Sequence, residues 1–196
     1  MKKLLLILTI CVATLSLAHS QDRQISIAYS VAIPLGDVGD YIQNVSPRGV
    51  YLNYSHFFYE KISVGLSAGI TTFYEEKASD TYSSGNITAT GKQFRYSNHI
   101  PLMATAAYYL QPESKFNPYA QIGIGTMYTR RDTDMGIKSV EEEAWGFALA
   151  PEIGIQYELS MSKSLLFSIK YCNGFKAGNE LDQSQSFLTF NFGITL

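Results

Sequence analysis

Residues 187–196 read FLTFNFGITL, with Leu188, Phe190, Phe192, Ile194 and Leu196 apolar at every second position and Thr189, Asn191, Gly193 and Thr195 between them. Successive side chains of a strand point to opposite faces, so this stretch predicts a strand with one bulky apolar face and one small or polar face. The pattern recurs upstream. QISIAYSVAIP (24–34) sets Ile25, Ile27, Tyr29, Val31 and Ile33 against Ser26, Ala28, Ser30 and Ala32. KISVGLSAGITTFY (61–74), AQIGIGTMY (120–128) and GFALAPEIGIQYEL (146–159) alternate in the same way, with Gly, Ser, Ala, Gln and Glu152 on the modest face. In a soluble sandwich the apolar face turns inward and the other carries Lys, Glu and Thr into water. A face of Ser, Gly and Ala is a poor solvent surface. It suits the crowded interior of a narrow barrel whose outside meets lipid.

The composition agrees. Charged residues make up 16% of the 196-residue chain, below the roughly one quarter usual for soluble domains. The formal net charge of -2 offers no basic footprint for nucleic acid. At the N-terminus, Lys2 and Lys3 precede an apolar run from Leu4 to about Leu17 and the small-residue end Ala18-His19-Ser20. That order predicts a secretory signal peptide over 1–20, cleaved at Ser20, ahead of a single domain over 21–196. Without the signal, Cys172 is the only cysteine, so no intramolecular disulfide can form. After Gln21 no apolar run reaches the length of a spanning helix, and any membrane entry must be by strands.

Eight segments qualify as strands, near 24–34, 48–57, 62–74, 94–110, 117–129, 144–157, 164–174 and 185–196. Their connections alternate between tight (58–61, 111–116, 158–163) and long and polar (35–47, 75–93, 130–143, 175–184). Short turns on one side, long loops on the other and both termini on the short side fit an outer-membrane barrel. The expected fold is all-β, an eight-stranded antiparallel up-and-down transmembrane barrel. In lipid every backbone N–H and C=O needs a partner within the protein, so the last strand must pair with the first.

Taken with the signal peptide and the closing strand, SVGLSAGITTFY, PYAQIGIGTMY and APEIGIQYEL resemble the small outer-membrane protein β-barrel domain family, the OmpA-like and OmpW-like eight-stranded barrels of Gram-negative bacteria. The resemblance covers about residues 22–196. It implies an outer-membrane location, contact with outer-membrane lipids and an assembly signal in Leu188, Phe190, Phe192, Ile194 and Leu196 for the barrel-assembly machinery.

Candidate chemistry is sparse. Glu152 and Lys170 share the inward parity of strands six and seven, and a hairpin centred near Met161 places them opposite each other as a structural lumen pair. Pro151 cannot donate to a ladder, which points to a bulge beside them. His56 falls near a short turn and His99 near the long-loop end of its strand, too far apart for a common metal site. Ser97 and His99 share a face, a weak signal of a rim hydrolase. RRDTDMGIKSVEEE (130–143) carries Arg130, Arg131, Asp132, Asp134 and Glu141 to Glu143, read as a solvated loop rather than a cation site. Phe57, Tyr59, Tyr74, Tyr108, Tyr109, Tyr119, Tyr128 and Tyr157 suit interfacial girdles. Neither a catalytic motif nor a cofactor or metal motif is present. The expected function is non-enzymatic, structural or through surface loops. The alternatives are a narrow channel or carrier for small solutes, apolar ones among them, and a lipid-modifying barrel enzyme.

Overall fold

The computed structural model describes residues 23–84, 87–135, 138–160, 163–175 and 183–196. They form strands β1 (Arg23–Leu35), β2 (Ser46–Tyr59), β3 (Ile62–Ser84), β4 (Ile87–Tyr109), β5 (Phe116–Met135), β6 (Lys138–Ser160), β7 (Lys163–Gly174) and β8 (Gln185–Thr195), with one short helix, α1 (Gly36–Tyr41), between β1 and β2. Each strand pairs antiparallel with its neighbours in chain order and β8 returns to β1, giving a closed barrel. The seam runs from Ser26 opposite Thr195 to Leu35 opposite Ser186. Leu196 extends it, exchanging backbone hydrogen bonds with Ile25 at 2.8 and 3.0 Å. A side chain has no room at one point of this seam, because a Cβ on Gly193 would lie 2.1 Å from the Ile27 carbonyl oxygen.

The two faces are those the alternation predicts. Ile25, Ile27, Val50, Leu52, Val64, Leu66, Ile122, Ile124, Ile153, Phe190 and Phe192 are exposed on the outside, while Ser26, Ser30, Asn53, Ser67, Thr105, Gln121, Ser168 and Asn191 are buried in the lumen. Outward aromatic residues bound the apolar band, with Phe58, Tyr59, Tyr108 and Phe116 at the end holding both termini and Trp145, Phe147 and Phe175 at the other. From Phe147 to Tyr157 on β6 the rise is about 25 Å, at about 3.3 Å per residue and a tilt of about 40°, which matches the hydrocarbon layer such barrels cross.

The long connections differ from expectation. Most of 75–93 and 130–143 is strand, so β3–β4 and β5–β6 continue as ladders, Ser84 facing Ile87 and Met135 facing Lys138. Above the membrane the hairpins no longer divide lipid from lumen, and the pairing continues after the alternation has ended. The first long connection folds inward. α1 buries Val38, and Ile42 after it is fully buried, in a cluster with Ala32, Phe73, Met103, Met127, Ala148, Ala150, Cys172 and Phe187. Gly36 starts this turn with a φ of 52°, which a glycine adopts at little cost. Pro151 makes no bulge. Leu149–Asn173 and Glu152–Lys170 keep one register, and Pro151 is still aligned with Ile122 on β5. Its missing N–H leaves the neighbouring pairs in line.

Replacing outward Ile122 by Arg puts a charge near the middle of the apolar band. The expected loss is about 2–4 kcal/mol in a folding titration into lipid vesicles, whereas Thr105→Ser on the lumen face should change the midpoint little.

Candidate functional site

The lumen is filled in layers. At the outer mouth Tyr41, at the end of α1, lies between two guanidinium groups, Arg95 at 5.0 Å and Arg131 at 4.8 Å from its ring centre. Its hydroxyl donates to the Asp132 carbonyl at 3.1 Å, with the Thr133 hydroxyl 2.5 Å away. Arg95 donates to the Tyr41 carbonyl at 2.8 Å. Arg131 donates to Gln183 and Gln185, both at 2.9 Å. Asp37 accepts from the Ser184 N–H and hydroxyl at 2.9 and 3.0 Å. The first and last long connections are therefore tied together over the plug.

Below it, Phe73, His99 and Phe187 form an aromatic cluster with ring centres 5.0 to 5.7 Å apart. The Ser97 hydroxyl is 2.9 Å from His99 Nε2, and Thr129 is 3.2 Å from Nδ1. Ser97 and His99 are both fully buried. Ser97 is therefore covered rather than rim-exposed, and the far side of the imidazole meets a hydroxyl where a nucleophile's base needs an orienting acceptor of the carboxylate kind.

The next layer holds the pair read from the sequence. Lys170 Nζ is 3.1 Å from Glu152 Oε2 and 3.0 Å from the centre of the Tyr51 ring. Glu152 Oε1 accepts from the Tyr119 hydroxyl at 2.7 Å, and Oε2 accepts from Gln121 at 3.3 Å and Tyr51 at 3.4 Å. Gln121 also donates to the Tyr51 hydroxyl at 3.2 Å. A carboxylate away from water needs its charge matched and both oxygens occupied, and this layer does both. Nearer the termini Gln24 and Gln156 exchange amide hydrogen bonds at 3.1 and 3.2 Å, with Tyr109 donating to Gln24 at 3.3 Å. Beneath them a vestibule of about 520 Å³ opens at the periplasmic end, lined by Phe57, Asn117, Lys163 and Thr195 among others.

Several of the residues singled out in the sequence stand elsewhere than expected. Phe57, Tyr109 and Tyr119 point into the lumen and pack together; their places at the inner ends of strands hid a parity that belongs to the interior. Tyr59 and Tyr108 do face outward. His56 packs edge-on against Phe58 with ring centres 5.1 Å apart. In 130–143, Arg130 is tied to Asp132 and Glu141 at 3.2 and 3.1 Å, Glu143 accepts from Tyr128 at 2.5 Å and Asp134 from Ser139 at 2.6 Å. Arg131 is buried. Leu188, Phe190, Phe192 and Ile194 lie on the outward face of β8, with Leu196 following it. Ser20 lies outside the described residues. Tyr51 and the plug were missed. Tyr51 shares the parity of Asn53 and Ser55, and Val38, Tyr41 and Ile42 have the helical spacing of a buried face.

A closed barrel with an apolar exterior, aromatic girdles and a packed polar lumen defines an integral outer-membrane protein. The chain belongs to the outer membrane protein beta-barrel domain family, whose model matches residues 4–194. Comparison with curated protein sequences finds no match. Among solved structures it is similar to the outer membrane protein OprG from Pseudomonas aeruginosa, at 17% identity over 89% of this chain and 94% of that one, with a TM-score of 0.55. It is similar to Neisserial surface protein A, at 14% identity over 89% and 94%, TM-score 0.52. Ail, the attachment invasion locus protein of Yersinia pestis, aligns at 12% identity over 91% and 100%, TM-score 0.51.

Removing one member of a buried charge pair strands the other. Glu152→Gln and Lys170→Met are each expected to cost about 3–5 kcal/mol, and the double variant clearly less than their sum. Urea titration read by heat-modifiable gel migration measures both; additive losses would show that the two charges do not depend on each other.

Proposed function

We propose that this protein is a non-enzymatic, non-conducting barrel that acts at the cell surface through the sheet projecting above the membrane. One observation carries the reading. β2 pairs with β3 only as far as Gly49 and Thr71, and β6 meets β7 only from Ala148 and Gly174. β3, β4, β5 and β6 continue beyond as a four-stranded sheet. Residues 72–84 of β3 alone run roughly 40 Å along the strand at about 3.3 Å per residue. Beyond those pairs no further strand lies against the outer stretches of β3 and β6 among the described residues, and a sheet edge of that kind suits an extended segment of a partner.

The packed lumen supports the absence of conduction, since α1, the aromatic cluster and the Glu152 layer occupy the axis in turn. The channel reading draws on the vestibule and on a plug made of loop rather than strand. Purified protein in planar bilayers is expected to show no steady conductance, and excision of 37–42 to open brief events; a constant open level for the intact protein would replace this reading with the channel. The enzyme reading draws on the Ser97–His99 bond, and with Ser97 under the plug the Ser97→Ala strain is expected to keep its lipid A unchanged by mass spectrometry. Export through residues 1–20 with cleavage at Ser20, and delivery of Leu188, Phe190, Phe192, Ile194 and Leu196 to the assembly machinery, complete the proposal. The outward apolar row of β8 is what supports the second step.

A further inference from the structure

At the outer edge of the apolar band the strand registers align one row of outward side chains. Val50 lies opposite Ile70, and Ile100, Tyr128 and Trp145 continue that row across β4, β5 and β6. One step higher the row changes character. Arg48, next to the Gly49 that faces Thr71, stands beside Thr72; Thr72 faces Asn98 and Asn98 faces Arg130. The boundary between hydrocarbon and headgroups thus falls between two adjacent rows.

Arg48 is held there by local structure. The β1–β2 register shifts between Ser30 and Ala32, leaving Pro47 and Arg48 both exposed after buried Ser46. Ser46 accepts from the Arg48 N–H at 3.1 Å and donates to the Thr72 carbonyl at 2.5 Å, and the Tyr29 hydroxyl donates to the Pro47 carbonyl. The guanidinium lies 5.7 Å from the Tyr74 ring centre, and Tyr74 packs on Tyr96 at 5.0 Å. Thr72 donates to the Asn98 amide oxygen at 2.8 Å, a bond that does not use the amide N–H groups. Several neighbouring charges are engaged: Arg130 with Asp132 and Glu141, Lys92 with Glu76, Glu143 with Tyr128, and Glu75 with the Gln43 N–H. Among the described residues no carboxylate lies at ion-pair distance from Arg48; Arg95 and Arg131 lack one as well, but they are turned onto Tyr41 inside the mouth.

We propose that Arg48, with Thr72 and Asn98 beside it, is a phosphate-recognition site for a phosphorylated lipid headgroup of the outer leaflet. The guanidinium fork matches phosphate oxygens, Arg48 stands one row above the apolar band, and the Tyr74–Tyr96 pair backs it. Its depth selects a lipid over a soluble ion, because the row beneath it is already in hydrocarbon.

The test is native mass spectrometry of the purified full chain after exchange from micelles containing phosphorylated lipid A into a zwitterionic detergent. Arg48→Gln is expected to retain about fivefold less lipid than wild type, the equivalent of about 1 kcal/mol for one surface arginine, and Asn98→Leu to show a smaller loss, while both keep the wild-type unfolding midpoint in lipid-free detergent. Dephosphorylated lipid A should bind wild type as weakly as phosphorylated lipid A binds Arg48→Gln, and excess inorganic phosphate should not displace the bound lipid. Equal retention by wild type and Arg48→Gln, indifference to the lipid phosphate, or full displacement by free phosphate would each overturn the proposal.

Discussion

The structure depends on one constraint, that no backbone N–H or C=O can be left without a partner inside hydrocarbon. A sheet with two free edges fails it, and joining β8 to β1 satisfies it. Closure then dictates the sidedness of every strand. Once the cylinder is complete, each residue faces either acyl chains or the axis, and eight strands leave an axis only wide enough for side chains. Gly193, where a Cβ would meet the Ile27 carbonyl, shows how tightly the seam is drawn.

Filling so narrow a space raises a second problem, because the modest face carries polar groups that water cannot fully serve. The answer is mutual satisfaction across strands. Ser30 donates to Asn191 at 2.6 Å and Asn191 to Ser168 at 3.0 Å, and Ser26 lies 2.9 Å from Thr195. Glu152 and Lys170 are the extreme case, two opposite charges whose burial is tolerable only together. Because Tyr51, Gln121 and Tyr119 reach Glu152 from β2 and β5, the layer ties opposite walls as well as adjacent strands. It braces the cylinder where the plug above does not reach.

Inside the membrane the sequence is almost transparent. Ile62, Val64 and Leu66 against Ser63, Gly65 and Ser67 report two different surroundings, and period two does the rest. The hairpin arithmetic that set Glu152 opposite Lys170 uses the same rule. What the alternation cannot report is the content of a single layer. Tyr119 and Tyr109 are inward by parity, yet a tyrosine near a strand end fits a girdle equally well, and only the neighbours across the lumen decide between them. The plug was hidden differently. Val38, Tyr41 and Ile42 are few residues in a stretch rich in Gly and Asp, and their burial depends on a cavity built by distant strands.

The projecting sheet marks where the code stops. Alternation is the trace of two unlike solvents on the two faces of one strand, so it measures the environment and not the ladder. From Glu75 to Ala78 on β3, and from Ser139 to Ala144 on β6, side chains of both parities keep contact with water, and selection on side-chain polarity no longer has a period. The ladder persists because its hydrogen bonds are between backbones, which the side-chain pattern does not record. The transition can still be located by the row where it happens: Val50, Ile70 and Ile100 belong to lipid, whereas Arg48, Thr72 and Asn98, one pleat higher, belong to the headgroups. The strand boundaries expected from polarity alone, near 74 and 94, fall close to that line. They mark the end of the membrane rather than the end of the strands.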